Sequence, residues 1–575
     1  MSLPLYSDIS VPGVFALAAA ATWLVPRLWR RLQLSRAKHR SLAGHSRMAK
    51  RIARWIPPLQ YNAERFYAVD GAPTAIAAQR EHALLALATQ FRQRFSRGLG
   101  LTATVTDSIA DVGFTARYRV PAPFSHHLRK HLRMPAFIAS ANDVRFTDLD
   151  GNELYDLTGS YGVNVFGNDF YKDCIREAMT RAETTGPVLG SYHPAVADVA
   201  ARLRKISGLP AVSFHMSGTE AVMQAVRLAR YHTRRPYLVR FCGAYHGWWE
   251  DVQPGIGNPL PPRETYTLSD MDERSLEVLR HRDDIACVLI NPLQALHPNA
   301  GAPGDSTLMS QRTLHPASRA DYATWLSKLR DVCSERGIVL IFDEVFVGFR
   351  LAKGGAQEYY NVNADLVTYG KTLGGGLPIG AVCGRADLMR RYRPEAPADI
   401  CFARGTFNSH PYVMAAAQVF LERIETPAIL ALYENASGVW ERRLAAFNAA
   451  MQAADLPLRA TGLQSIWTIV FTRPARYHWM LQYYLRAEGI ALSWVGSGRL
   501  IFSLNYTEEE FSQVLHRFVT AGRKMLDAGW WWQPSAAQLK LAQRQLISDM
   551  LRARLGNWQR DKREHARSLQ PSVLD

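Results

Sequence analysis

Cysteine is scarce in this chain. Its six cysteines, Cys174, Cys242, Cys287, Cys333, Cys383 and Cys401, include no C-x-x-C pair. That excludes a disulfide framework and a cysteine zinc site, leaves no metal expected, and fits a reducing compartment. Long apolar runs are also missing. The uncharged stretch at residues 11–25 (VPGVFALAAAATWLV) has fifteen residues. As a helix it would reach roughly 22 Å, short of a hydrocarbon core of roughly 30 Å. It is at most a marginal span. The alternatives are a tilted anchor, an interfacial helix with Trp23 and Trp29 at headgroup level, or a core helix. Acidic residues are absent from Arg27 to Arg54, where ten Lys or Arg stand. These charges follow the apolar stretch, whereas those of a cleavable signal peptide would precede it. Their order predicts membrane association through residues 11–34, with the bulk of the chain on the cytoplasmic face of the cell membrane. The basic stretches lack a recognised nucleic-acid motif or interleaved stacking aromatics, so no nucleic-acid partner is expected.

What is present suffices for a large folded protein. The chain has 575 residues, 47% hydrophobic and 21% charged, with a net charge of +17 and no internal repeat. Residues 1–55 form the anchor and basic stretch. Residues 56–125 read as an accessory lead-in, with one helical pattern at 76–95 followed by turn-rich sequence. Alternating apolar and polar residues around Asp150-Gly151 predict a hairpin within 126–167, the first part of a small domain. From residue 168 to 414 helical stretches alternate with short apolar strands, at 212–215, 238–241, 286–290, 338–342 and 366–369. That alternation predicts an α/β domain with a mainly parallel sheet and a ligand site at the strand ends. Residues 415–530, with strands at 465–471 and 500–504, read as a smaller α+β domain. Trp530-Trp531-Trp532 breaks the pattern, and 531–575 reads as a basic helical tail.

The chemistry is clearest at Lys371, in the run DLVTYGKTLGGGLPIG, where an apolar strand ends in a lysine and a glycine-rich loop. A lysine in such surroundings loses its proton readily and suits imine formation with a carbonyl cofactor. Asp343 ends the preceding apolar strand, where a buried carboxylate needs a cation or a proton to hold. A protonated pyridine nitrogen meets that demand, so the pair points to a pyridoxal cofactor. Ser217, Gly218 and Thr219 lie between a strand and a helix, either as a phosphate cradle or as a helix cap. Tyr245 and His246 close another strand, and the tyrosine offers a flat face for a ring.

The segments SGTEAVMQAVRLAR, FCGAYHGWWED, LIFDEVFVGFR, DLVTYGKTLGGGLPIGAVCGR and ARGTFNSHPYVMAAA resemble, in order, the motifs of class III aminotransferases, which have the fold type I pyridoxal-phosphate architecture. Within that class DLTGSYGVNVFG and GPVLGSYHP resemble the glutamate-1-semialdehyde aminomutase branch, especially aminotransferase modules of polyketide and peptide synthetases. The resemblance spans about residues 137–520. It implies pyridoxal 5′-phosphate bound covalently by Lys371, its ring nitrogen held by Asp343 and its phosphate by Ser217, Gly218 and Thr219. Tyr245 and Val345 would flank the ring and His246 would help to orient it. It also implies a homodimer, with Thr406 reaching the phosphate held by the neighbouring subunit. One departure stands out: Asn291-Pro292 occupies the place of a Glu-Pro pair, although Gln294 is retained.

These readings predict transfer of an amino group from an amino-acid donor to a ketone or aldehyde. The synthetase likeness and the anchor point to a lipophilic or β-keto acyl acceptor, carried as an acyl-carrier or CoA thioester. An intramolecular aminomutase is the alternative within the class. A membrane scaffold that kept the fold and lost the chemistry is the alternative outside it.

Overall fold

The computed structural model describes residues 11–38, 46–242, 244–253, 255–260, 262–293, 318–493 and 498–568. The chain opens with helices α1 (Val11–Ala37) and α2 (Ser46–Trp55). Helix α1 runs past the apolar stretch to Ala37, whose carbonyl accepts the Ser269 amide at 2.9 Å. Phe15, Trp23, Leu28 and Trp29 are exposed, which removes the core-helix alternative. Among the described residues no helix is long and apolar enough to cross a membrane.

A helical block follows: α3 (Thr74–Arg94), α4 (Ser96–Val105), α5 (Ala110–Tyr118) and α6 (Ala122–His131). The stretch after Phe95, expected to be turn-rich, is therefore helical. Its glycines suggested turns, but Gly98 serves close packing, since a Cβ there would lie 3.2 Å from both Asp150 and Pro135. The cap of α4 comes from far away in sequence: the Asp150 carboxylate accepts the amides of Arg97 and Gly98, both at 2.8 Å. The block is welded to the end of the chain. Arg80, fully buried, holds Asp70 bidentately at 2.7 and 2.9 Å and donates to Gly529 O at 2.9 Å. Its guanidinium lies 4.4 Å from the Tyr477 ring. The Trp530-Trp531 pair, a break in the sequence pattern, is buried beside it, with Trp530 Nε1 donating to Tyr484 Oη at 2.9 Å.

Strands β1 (Ile138–Asn142), β2 (Arg145–Asp148) and β3 (Glu153–Asp156) include the expected hairpin. Helices α7 (Asn168–Ala182) and α8 (Ala195–Ser207) lead into strand β4 (Ala211–His215) and helix α9 (Gly218–Thr233). Then come β5 (Tyr237–Phe241), β6 (Thr265–Leu268), α10 (Glu273–His281), β7 (Ile285–Ile290), α11 (Arg319–Arg336), β8 (Val339–Asp343), β9 (Leu366–Gly370) and β10 (Gly380–Gly384). Every residue of β7 to β10 is buried, the mark of strands covered on both faces. The seven-stranded order is β4-β10-β9-β8-β7-β5-β6. All pairs are parallel except those of β10, which runs against both β4 and β9. The nine residues 371–379 between β9 and β10 are too few for a parallel crossover, which takes about a dozen or more. The sheet is thus mixed by one strand.

Beyond a two-stranded ribbon, β11 (Tyr392–Arg393) with β12 (Ala396–Ile400), come α12 (Pro411–Arg423) and α13 (Pro427–Ala453). Strands β13 (Leu458–Leu463) and β14 (Ile466–Phe471), helix α14 (Leu481–Ala487) and strands β15 (Ile490–Ala491) and β16 (Arg499–Ile501) follow. The last strand is shorter than expected, because Leu504 N turns away to donate to Val165 O at 2.6 Å. Strand β15 joins β3 in parallel, so the early hairpin and the late chain share one sheet. Helix α15 (Glu508–Asp527) and the long helix α16 (Ala536–Ser568) complete the chain.

Candidate active site

The site forms where β4, β5, β7, β8 and β9 end, the usual ligand edge of a parallel sheet. After β4, Ser217 is the N-cap of α9, its Oγ accepting the Glu220 amide at 3.3 Å. The Glu220 carboxylate reaches back to the Met216 amide at 3.0 Å. Capping is thus one role of Ser217, and the amides of Gly218 and Thr219, in the first turn, lack intrahelical acceptors and suit an anion. After β5, Gly247 has φ +102 and presses on Thr219: a Cβ there would lie 2.6 Å from Thr219 Oγ1. Only glycine lets this loop close on the helix start. Tyr245, in the same loop, is exposed, and His246 is buried.

Asp343 closes β8 and is buried. Its Oδ2 lies 2.6 Å from His246 Nδ1, while Oδ1 accepts the Val345 amide at 3.1 Å and the Thr368 hydroxyl at 3.3 Å. His246 Nε2 is buried without a hydrogen-bond partner among the described residues. Val345 is gripped by glycines, since a Cβ on Gly218 would fall 2.6 Å from its Cγ1 and one on Gly370 3.2 Å.

Lys371 follows β9 with φ +48, in the left-handed region that a lysine rarely adopts. The next residue steadies the turn: Thr372 Oγ1 lies 2.5 Å from Tyr171 Oη. Burial holds the Lys371 ammonium below its usual pKa; Asp343 opposes that effect, while Arg350 and Arg499 reinforce it. Its amine therefore sheds a proton more readily than a solvated lysine. Gly162, at φ +100, would place a Cβ 2.4 Å from Phe346 Cδ2 and 3.3 Å from Lys371 Cδ.

Lys371, Asp343, His246, Val345, Ser217, Gly218, Thr219 and Tyr245 thus lie on adjoining strand ends and loops. Thr406 lies on an exposed loop with the exposed rings of Phe402 and Phe407. Asn291 follows β7, whose Ile290 is paired with Phe342 next to Asp343. Its Oδ1 is buried and has no hydrogen-bond partner among the described residues. Gln294 lies outside the described residues. Sequence reasoning gave no role to Gly162, Phe346, Thr368, Tyr171, Arg350 or Arg499. Gly162 lies inside the motif DLTGSYGVNVFG, Phe346 and Arg350 inside LIFDEVFVGFR and Thr368 inside DLVTYGKTLGGGLPIGAVCGR, whereas Tyr171 and Arg499 carried no signal.

The chain is similar to known proteins over much of its length. The family model for aminotransferase class III matches residues 127–250 and 318–521. The glutamate-1-semialdehyde 2,1-aminomutase of Alkaliphilus oremlandii is 35% identical over 315 residues, 51% of this chain and 68% of that protein. The same-named protein of Francisella tularensis is 32% identical over 354 residues, covering 59% and 76%. Among solved structures, a transaminase with PLP bound shares 29% identity at TM-score 0.62, over 76% of this chain and 99% of that one. A β-phenylalanine aminotransferase from Variovorax paradoxus shares 25% at TM-score 0.62, over 78% and 98%. A Pseudomonas aeruginosa glutamate-1-semialdehyde aminomutase, at 18% identity and TM-score 0.62 over 78% and 98%, shares the fold.

The residues present fit pyridoxal 5′-phosphate. A buried carboxylate at Asp343 suits a ring nitrogen that carries a proton, a lysine amine of lowered basicity suits an aldehyde, and a helix start suits a phosphate. The chain belongs to the class III aminotransferases, enzymes of fold type I that use pyridoxal 5′-phosphate.

Proposed function

We propose that this enzyme moves an amino group from an amino-acid donor to a separate ketone or aldehyde acceptor. The observation that carries the reading is the convergence of Lys371 with the His246–Asp343 pair at the sheet end. When bound, pyridoxal phosphate supplies an electron sink for the bond that breaks at the donor's α-carbon. Lys371 would hold its aldehyde, Asp343 its ring nitrogen, and Ser217, Gly218 and Thr219 its phosphate, with Tyr245 and Val345 on its two faces. His246 keeps Asp343 in place through the contact of its Nδ1 with Oδ2. Lys371 Nζ, freed when the donor's amine takes its place, would take the α-proton and deliver it to the carbon that had carried the aldehyde. In a homodimer Thr406 would reach the neighbouring subunit's phosphate; its exposure beside Phe402 and Phe407 supports that arrangement.

The acceptor we favour is lipophilic, a β-keto acyl thioester on CoA or an acyl carrier, or a related long-chain carbonyl. The supporting feature is α1, which exposes Phe15, Trp23, Leu28 and Trp29 above a basic stretch. Lying in the headgroup layer, it would hold the enzyme at the cytoplasmic face, where such a substrate partitions. The second reading, an intramolecular aminomutase, is favoured by the names of the curated relatives. A scaffold without chemistry does not fit the intact Lys371, Asp343 and His246.

The test supplies the purified pyridoxamine form with short and long β-keto thioesters, aldehydes and ketones. Recovery of the aldehyde's absorbance with a long-chain acceptor, and a deaminated co-product from a separate donor, are the expected results. An amino group that stays on one molecule, with no co-product, would establish the mutase instead.

A further inference from the structure

Helices α2 and α16 each expose a second apolar face on the side away from the protein. On α2 the packed side is marked by buried Ala49 and by Lys50 Nζ, which donates to Asn258 O at 2.8 Å. Met48, Ile52 and Trp55 recur at i, i+4 and i+7 within an arc of about 60°, and Trp55 is 67% exposed. Arg47, Arg51 and Arg54 fill the neighbouring flank, and the helix has no acidic residue.

Helix α16 repeats the pattern. Its packed side carries buried Ala542, with Gln545 and Asp549 held by Arg65 at 3.1 and 3.3 Å. Turned away from it, Ile547, Leu551 and Leu555 recur every fourth residue, Leu551 at 58% and Leu555 at 62% exposure. The two stripes adjoin where Arg554 Nη1 donates to Trp55 O at 2.9 Å and its guanidinium lies 4.2 Å from the Trp55 ring. Scattered exposed leucines need no explanation, but two helices with regular apolar stripes, docked side by side and edged with arginine, do.

We infer that α2 and α16 together form a docking surface for an anionic lipid bilayer. Tryptophan and aliphatic side chains enter the acyl boundary while the flanking arginines meet lipid phosphates, and basic residues near such a surface add to affinity. An all-basic α2 matches that occupant in charge. Helix α1, just upstream, has the same make-up, with Arg27 packed 3.4 Å from the Trp23 ring. The inference extends the membrane placement proposed above to a surface built from both ends of the chain, and it can fail without α1 failing.

The experiment floats the full-length holoenzyme with phosphatidylglycerol-containing or pure phosphatidylcholine vesicles. One variant combines Ile52→Ser, Trp55→Ser and Leu551→Ser; a second combines Arg47→Glu and Arg51→Glu; a third alters α1 by Trp23→Ser and Leu28→Ser. The first two should bind anionic vesicles about tenfold more weakly or worse, with α1 intact and catalytic turnover in solution unchanged. Quenching of Trp55 by brominated lipid, read as the difference from Trp55→Phe, should accompany binding. Binding of the first two variants at the parent's strength would overturn the inference, and loss confined to the third would leave α1 as the lipid contact. Equal binding to neutral vesicles would overturn the anionic preference. Self-association without vesicles, abolished by the first variant, would assign the surface to a second copy of the chain and overturn a lipid role.

Discussion

His246 Nδ1 lies 2.6 Å from Asp343 Oδ2, tying the loop after β5 to the end of β8 with both side chains buried. Asp343 is thereby oriented from three sides, by His246, the Val345 amide and the Thr368 hydroxyl. A hydrogen bond to a charged group contributes about 1.5–3 kcal/mol. His246→Phe should therefore lower kcat about tenfold to a hundredfold with little change in KM. His246→Asn, which keeps a donor near the Nδ1 position, should recover part of it. Steady-state kinetics of both variants check the pair.

Gly162→Ala tests the wall behind Lys371. The new Cβ would stand 2.4 Å from Phe346 Cδ2 at a φ of +100, so Phe346 and Lys371 must shift. A loss of about 1–3 kcal/mol in stability is expected, together with weaker cofactor retention, by denaturant titration and by absorbance after dialysis. Unchanged retention would show that Gly162 is not part of the site's wall.

Arg80→Ala tests whether the helical block α3–α6 belongs to the folded core. Removing one partner of a buried ion pair costs about 3–5 kcal/mol, and Arg80→Ala also removes a donor to Tyr67 O and Gly529 O and the cation over the Tyr477 face. A marked fall in Tm is expected. A fall within experimental error would mean that the block is a detachable appendage.

Glu344 makes a pH prediction. Its carboxyl, buried under the amides of Ala356 at 2.7 Å and Gln357 at 3.2 Å, is pushed up from 4.5 to about 8, chiefly by burial. The folded state then holds a proton that the unfolded chain has released, so this group's contribution to stability falls as pH rises from 4.5 to 8. Glu344→Gln removes that slope. The variant should gain stability relative to the parent as pH rises through this window, in denaturant titrations across pH.

Much of the fold was legible because strands such as β7 and β8 are continuous apolar runs ending in a polar residue, and Asp343 and Lys371 are such endings. Strand direction was not legible: a strand buried on both faces reads alike either way, and the reversal of β10 comes from the shortness of the link after Lys371. The helix at Ser96–Val105 was missed because its cap, Asp150, comes from a distant hairpin. Phe346 and Gly162 lie far apart in sequence and meet only through packing, so neither announced itself beside Lys371.

The covalent role of Lys371 admits a direct measurement. Borohydride reduction of the purified holoenzyme, followed by peptide mass spectrometry, should place the phosphopyridoxyl mass on Lys371, and Lys371→Ala should lose both the visible absorbance and turnover. The label on a different lysine, or turnover that survives Lys371→Ala, would contradict the site described.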